Sequence, residues 1–272
     1  MLLSSRAKAF LAFGAAVGLS FIYFPLLVVV INSFNKSKVF SWPPSEFTTV
    51  WWEKAIANEG VRSAFAMSLK AGLGATFFAL LLGTALSFAL VRFEFFGKNI
   101  ISFLVVLPIA LPGIVTGIAL NSAFSTVLEP FGISLGLFTV ILGHTTFCIV
   151  VVFNNVSARL RRTGVTLEEA SADLGARAWQ TFAYITFPAV RSALVAGALL
   201  AFALSFDEIV VTTFTSGPGV QTLPQWIFNN LFRPNQGPIV NAVAAFMLIL
   251  FVAPVWLAQK MSGSENHLGG RV

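Results

Sequence analysis

Long uncharged apolar runs alternate with short polar segments along this chain. After Arg6 and Lys8 no charged residue occurs from 9 to 31. At about 23 residues this run is long enough for an α-helix to cross a bilayer, and it exceeds the ~7–15-residue apolar core of a signal peptide. Further runs lie at 71–91, 99–128, 131–158, 192–206 with a continuation to 215, and 239–257. The pattern predicts an all-α integral membrane protein with six transmembrane helices, residues 1–272 forming one transmembrane domain. The third run, at about 30 residues, is longer than one crossing needs, and Asp207 and Glu208 interrupt the fifth.

Composition sharpens this reading. Of 272 residues 57% are hydrophobic and only 10% charged, against roughly 25% charged in soluble domains, which excludes a freely soluble protein. The net charge of +6 from 17 basic and 11 acidic residues lies between the apolar runs, which points to membrane topology rather than nucleic acid. Arg6, Lys8, Arg92, Lys98, Arg159, Arg161, Arg162, Arg177, Arg191, Lys260 and Arg271 fall on one side, whereas the loop at Glu129 has no basic residue and 216–238 has only Arg233. The first outer loop, 32–70, also carries several lysines and an arginine, but it is long and offset by Glu46, Glu53 and Glu59; because short basic loops stay on the cytoplasmic side, both termini are expected there. Trp42-Pro43-Pro44 and Trp51-Trp52, in the first outer loop, fit a membrane interface, where amphipathic rings are favoured. One cysteine, Cys148, supports neither a disulfide nor a metal cluster, and no metal site is expected.

The loop at 159–191 is long for a connection and predicts structure of its own. Thr166-Leu167-Glu168-Glu169 has the spacing of a capping box, so a helix is expected to start there. It continues through Ala170-Ser171-Ala172-Asp173-Leu174 and ends at Gly175, a residue that tolerates the left-handed conformation of helix ends. A second helix is expected over 177–184, with Pro188 stopping or kinking the chain. A helix of about nine residues is marginal in water, so it is expected to pack against something, such as a partner protein.

Glu169-Ala170-Ser171, three residues, Gly175, nine residues, then Ile185-Thr186-Phe187-Pro188 resembles the EAA motif of ABC-transporter importer permeases, departing from it at Ser171 and Phe187. Phe95-Phe96-Gly97-Lys98 leading into 107–117, Gly143-His144 before Phe147, the stretch from Ser205 to Thr212, and Thr222-Leu223-Pro224 are similar to the polyamine branch of that family, the spermidine/putrescine type. The resemblance implies a type I ABC importer permease fold in the inner membrane of a prokaryote. It implies a subunit forming half of the route for a small cationic solute, putrescine, spermidine or a related amine, with an amino-acid-like solute as the alternative. Implied partners are a second homologous permease, an ATPase dimer, an extracytoplasmic solute-binding protein and membrane lipid, with no nucleic acid. Glu168, Glu169, Ala170, Ser171, Asp173, Leu174, Gly175, Ile185 and Pro188 are implied to couple to the ATPase. ATP and Mg would be bound by that ATPase and no cofactor by this chain, which has no G-x-x-x-x-G-K-[ST] phosphate loop.

Other residues bear on the route. Pro108, Pro112 and Gly113, with Gly117, predict a broken or kinked third helix; it either lines the route or serves packing, since Gly-x-x-x-Gly is a close-packing spacing. His144, alone in an apolar run, reads either as a hydrogen-bonded structural residue or as a functional one. Asp207 and Glu208 lie 16 residues after Arg191, roughly 24 Å along a helix. A carboxylate at that depth is expected to face the bundle interior or a cavity. Asp207 is the favoured route residue, with Ser205, Thr212 and Thr213 as polar neighbours; the alternative is a carboxylate paired with a basic residue of the companion permease. An enzyme is not expected, because the chain has two histidines, one of them in the 262–272 tail, and neither H-E-x-x-H nor G-x-S-x-G. A stand-alone channel or secondary transporter is the further alternative, against which the EAA-like motif argues.

Overall fold

A long apolar run satisfies its own backbone polar groups in lipid by forming a helix, and helices account for nearly all of the described structure. The computed structural model describes residues 4–38 and 42–265. In chain order the helices are α1 (Ser5–Asn32), α2 (Val50–Ala57), α3 (Glu59–Arg92), α4 (Lys98–Ala110), α5 (Gly113–Val127), α6 (Leu137–Thr163), α7 (Thr166–Asp173), α8 (Ala178–Thr181), α9 (Phe187–Phe206), α10 (Val210–Thr215), α11 (Leu223–Leu231) and α12 (Gly237–Glu265). A π turn, Phe182–Thr186, joins α8 to α9. Among the described residues strand pairing is limited to the antiparallel bridge between Asn35 and Phe47.

Among the described residues five helical stretches are long and apolar enough to cross a membrane: Ser5–Ser33, Glu59–Arg92, Gly113–Phe131, Leu137–Thr163 and Ala178–Phe206. Lys98–Ala110 is a shorter apolar helix, and Gly237–Val252 is the apolar first part of the 29-residue α12. The expected third span is therefore two helices. Leu111 is extended (φ −82°, ψ 144°) because Pro112 disfavours a helical residue before it, and the helix resumes at Gly113. The helical stretch that holds the fifth run begins at Ala178 rather than 192. Pro188 is the second residue of α9, a first-turn position that tolerates a missing N–H, and the π turn carries the helix through. Pro188 thus does not stop the chain. α12 continues to Glu265, past the expected start of the tail at 262; residues 266–272 lie outside those described.

The described chain forms two compact units. One comprises the residues up to Arg62 and those from Trp226 onward. In it α12 packs against α1 and α2. Trp51, expected as an interface ring, is buried, and its Nε1–H donates to the Asn35 carbonyl at 2.9 Å. Trp52 stacks on Phe34 with ring centres 5.4 Å apart. On the surface of this unit the Lys36 ammonium donates to Glu46 at 2.6 Å. That hydrogen bond and its charge hold the Glu46 carboxyl below, and the Lys36 ammonium above, their ordinary values.

The second unit, Ser63–Gln225, is built around α6 and α9. Ala79, Phe147, Cys148, Val152, Val156, Leu160, Val190, Ala201 and Val211 form its buried cluster. The face that α3 turns toward α6 carries small residues, as membrane helix contacts require for close approach. A Cβ on Gly83 would stand 2.9 Å from both the Ile149 carbonyl and Val152 Cβ. One turn on, the Ser87 hydroxyl reaches the Gly83 and Phe153 carbonyls at 2.7 and 3.1 Å.

Candidate functional site

The 159–191 segment forms a helical platform secured at two points. α7 starts at Thr166 as expected, but not through a capping box: Val165 is its N-cap, with no side-chain cap bond. The Glu169 N–H that the threonine hydroxyl was to bind already donates to the Val165 carbonyl at 2.9 Å. Glu169, Ala170 and Asp173 are exposed. Glu168 is the anchoring residue, paired with Arg92 at 2.9 Å and accepting from Thr186 Oγ1 at 3.1 Å. Ser171 is buried, its hydroxyl 2.7 Å from that of Thr181 in α8. Gly175 ends the helix with φ +83°, as its position predicts, its N–H donating to the Ala172 carbonyl at 2.8 Å.

With Glu168 and Ser171 turned inward, α7 presents apolar groups outward. Leu174 is 90% exposed and Leu167 61%, with Trp179 and Tyr184 exposed beside them. Ile185 is half-buried and Pro188 exposed. Large apolar side chains exposed on a helix too short to be stable alone are the kind of surface found where a protein meets another protein or a membrane.

A second cluster forms where two broken helices meet. A Cβ on Gly113 would lie 3.3 Å from Val210 Cγ1, and one on Gly117 2.5 Å from the Phe214 ring. The start of α5 therefore lies against α10, and the break at Pro112 adjoins the break at 207–209. Pro112 and Gly113 are exposed there; Pro108, half-buried, lies within α4. Asp207 is exposed at the end of α9. Glu208 serves the backbone instead, accepting from the Val211 N–H at 2.8 Å.

Ser205 and Thr212, expected beside Asp207, are 2% and 0% exposed and turn inward to His144. His144 Nδ1 lies 2.7 Å from Ser205 Oγ and Nε2 2.8 Å from Thr212 Oγ1. The Thr212 hydroxyl donates its proton to the Glu208 carbonyl at 2.7 Å. It must then accept from Nε2–H, which leaves Nδ1 to accept from Ser205. This neutral tautomer satisfies every member of the chain, and of the two readings of His144 the geometry supports the hydrogen-bonded structural one. Thr213 is exposed, its hydroxyl bonded to the Ile209 carbonyl at 2.7 Å. Asn121 and Thr139 fasten the far end of α10 through the Phe214 and Thr215 carbonyls at 2.6 and 2.7 Å.

Sequence reasoning missed Arg92, Thr186 and Asn121. Arg92 was read only as a topology signal; its place as the last residue of an apolar helix, where cations bind carbonyl ends, was the available clue. For Thr186 and Asn121 the sequence carries no comparable signal.

Residues 75–261 match the family described as binding-protein-dependent transport system inner membrane component. The chain is 37% identical over 236 residues to the putrescine transport system permease protein PotI of Escherichia coli (strain K12), covering 85% of this chain and 83% of that protein. It is 34% identical over 249 residues to the spermidine/putrescine transport system permease protein PotC of Haemophilus influenzae, covering 91% and 94%. To the putative 2-aminoethylphosphonate transport system permease protein PhnV of Salmonella paratyphi A it is 28% identical over 252 residues, 92% and 91% of the two chains. Its fold is shared with a bacterial ABC transporter involved in import of the acidic polysaccharide alginate (TM-score 0.67, 14% identity, 97% and 99% covered). It is also shared with the inward-facing MetNI methionine ABC transporter (TM-score 0.57, 20% identity, 78% and 96% covered).

Proposed function

We propose a function from one premise: the chain belongs to the family of binding-protein-dependent transport system inner membrane components. It is a multi-pass permease subunit of an ATP-binding-cassette importer. Its solute is a small cationic amine of the putrescine and spermidine class, the class named for two of its relatives. Both termini face the cytoplasm, and a second homologous permease completes the route. A separate ATPase dimer binds ATP and Mg, while an extracytoplasmic binding protein delivers the solute.

The observation that carries this reading is the platform at α7. Glu168 and Ser171 hold the helix from within, and Leu167 and Leu174 project from it, which is what a helix docking into an ATPase needs. Exposed Asp207 at the adjoining breaks supports the cationic solute, because a carboxylate supplies the charge-assisted hydrogen bond an ammonium group requires.

The test is ATP hydrolysis by the complete importer in nanodiscs, stimulated by its binding protein loaded with putrescine, spermidine, 2-aminoethylphosphonate or an amino acid. Stimulation by the two polyamines alone is expected. Stimulation by the phosphonate or the amino acid instead overturns the solute assignment, and solute movement by this chain without any ATPase overturns the importer reading.

A further inference from the structure

The ends of α3 and α6 and the start of α7 meet around one guanidinium. Arg92, the last residue of α3, donates from Nη2 to the Gly164 carbonyl at 2.8 Å and to Glu168 Oε1 at 2.9 Å, and from Nη1 to the Leu160 carbonyl at 3.4 Å. Its side chain is 11% exposed and that of Glu168 24%. The same Glu168 oxygen accepts from Thr186 in the π turn below α9. By contrast the neighbouring pair Lys98–Glu94 leaves its carboxylate 89% exposed, where water and salt screen it.

α7 has eight residues; residues 164–165 join it to α6 and 174–177 join it to α8, and its side-chain anchors at Glu168 tie it to elements the backbone does not join to it directly. Ser171 leads to α8, and Thr186 leads to the root of α9. Arg92 is the side-chain link from α7 to α3, and it grips the carbonyl end of α6 with the same guanidinium. α3 in turn lies against α6 along its small-residue face, so a displacement entering at Arg92 reaches two long helices together.

We propose that Arg92 is a positioning residue for transport: through Glu168 it passes the movement of α7 to α3, so that α3 responds to the ATPase together with α6, which the backbone already joins to α7. This rests on the reading of α7 as the ATPase-docking helix. Without the pair, α7 moves with α6, α8 and α9 while α3 lags.

The test uses the complete importer in proteoliposomes and measures [14C]putrescine uptake, ATP hydrolysis and co-purification of the ATPase. Arg92→Ala and Glu168→Gln are compared with the unsubstituted protein and with Lys98→Gln as control. Glu168→Gln keeps the side-chain volume and an acceptor for Thr186. Both variants are expected to retain the ATPase and to hydrolyse ATP, while putrescine moved per ATP falls about fivefold or more; Arg92→Lys recovers part of the ratio and Lys98→Gln leaves it unchanged. An unchanged ratio in both variants overturns the relay alone. Uptake that falls only in step with lost ATPase assembly gives the pair a folding role and also overturns it. No ATP-dependent uptake by the unsubstituted importer overturns the functional reading, and the relay with it.

Discussion

Replacing His144 with phenylalanine keeps a ring in the buried site, including its neighbour Phe147 with ring centres 5.5 Å apart, and removes both imidazole hydrogen bonds. Thr212 keeps its bond to the Glu208 carbonyl, but the buried Ser205 hydroxyl loses its acceptor. Side-chain hydrogen bonds between membrane helices are worth about 0.6 kcal/mol on average and up to ~1.7, and an orphaned buried donor costs about 1–3 kcal/mol. His144→Phe is therefore expected to destabilise the protein by about 2–4 kcal/mol. The bonds join α6 to both sides of the α9–α10 break, so the loss should concentrate there. Unfolding of the purified permease by steric trapping gives the stability directly, and a double-mutant cycle with Thr212→Val isolates the pair, with a coupling of about 0.6–1.7 kcal/mol expected. Wild-type stability in His144→Phe, or zero coupling in the cycle, would refute the hydrogen-bond chain as drawn.

At the break itself, Asp207→Asn should lower putrescine uptake by about tenfold or more with assembly intact, the worth of one charged hydrogen bond, whereas Glu208→Gln keeps an acceptor for the Val211 amide and should stay near wild type. Loss of assembly in Asp207→Asn would instead indicate pairing with the companion permease. At Gly175 a Cβ meets nothing within 4 Å, so only its left-handed backbone is at stake. Gly175→Val should abolish coupled uptake while Gly175→Asn, which tolerates that conformation, retains most of it; equal uptake in the two would reject a backbone role. On the surface, Glu46 has a lowered pKa, so its contribution is present above the ordinary 4.5 and is lost as pH falls through the depressed value. Lys36, raised above 10.5, contributes until pH climbs past its elevated value. The small difference in thermal midpoint between Glu46→Gln and wild type should thus appear at neutral pH and shrink toward both extremes, and a difference that does not shrink as pH is lowered would contradict the pairing.

The long apolar runs made most of the helices legible, because length and lack of charge alone dictate a spanning helix. The interruptions were legible as residues and not as geometry. Pro112 announced a break, yet nothing local says that Gly113 comes to rest against Val210. Ser205 and Thr212 read as polar neighbours of Asp207 because they are close to it in sequence; both instead bond to His144, more than 60 residues away. Pro188 misled for the opposite reason, since a π turn absorbs it. In the 159–191 segment Gly175 was placed correctly from its conformational preference. Glu168 was not singled out as the anchor, because its partner Arg92 lies 76 residues away in sequence, a distance at which local patterns carry no information.

The central claim is that this chain, with its ATPase, moves a cationic amine at the expense of ATP. Accumulation of [14C]putrescine in proteoliposomes holding the complete importer, its binding protein on the side of uptake and ATP on the other, tests it most directly. Accumulation above the external concentration that needs ATP and disappears in Gly175→Val is the predicted result. Equilibration without ATP, or accumulation unaffected by that substitution, would contradict the account.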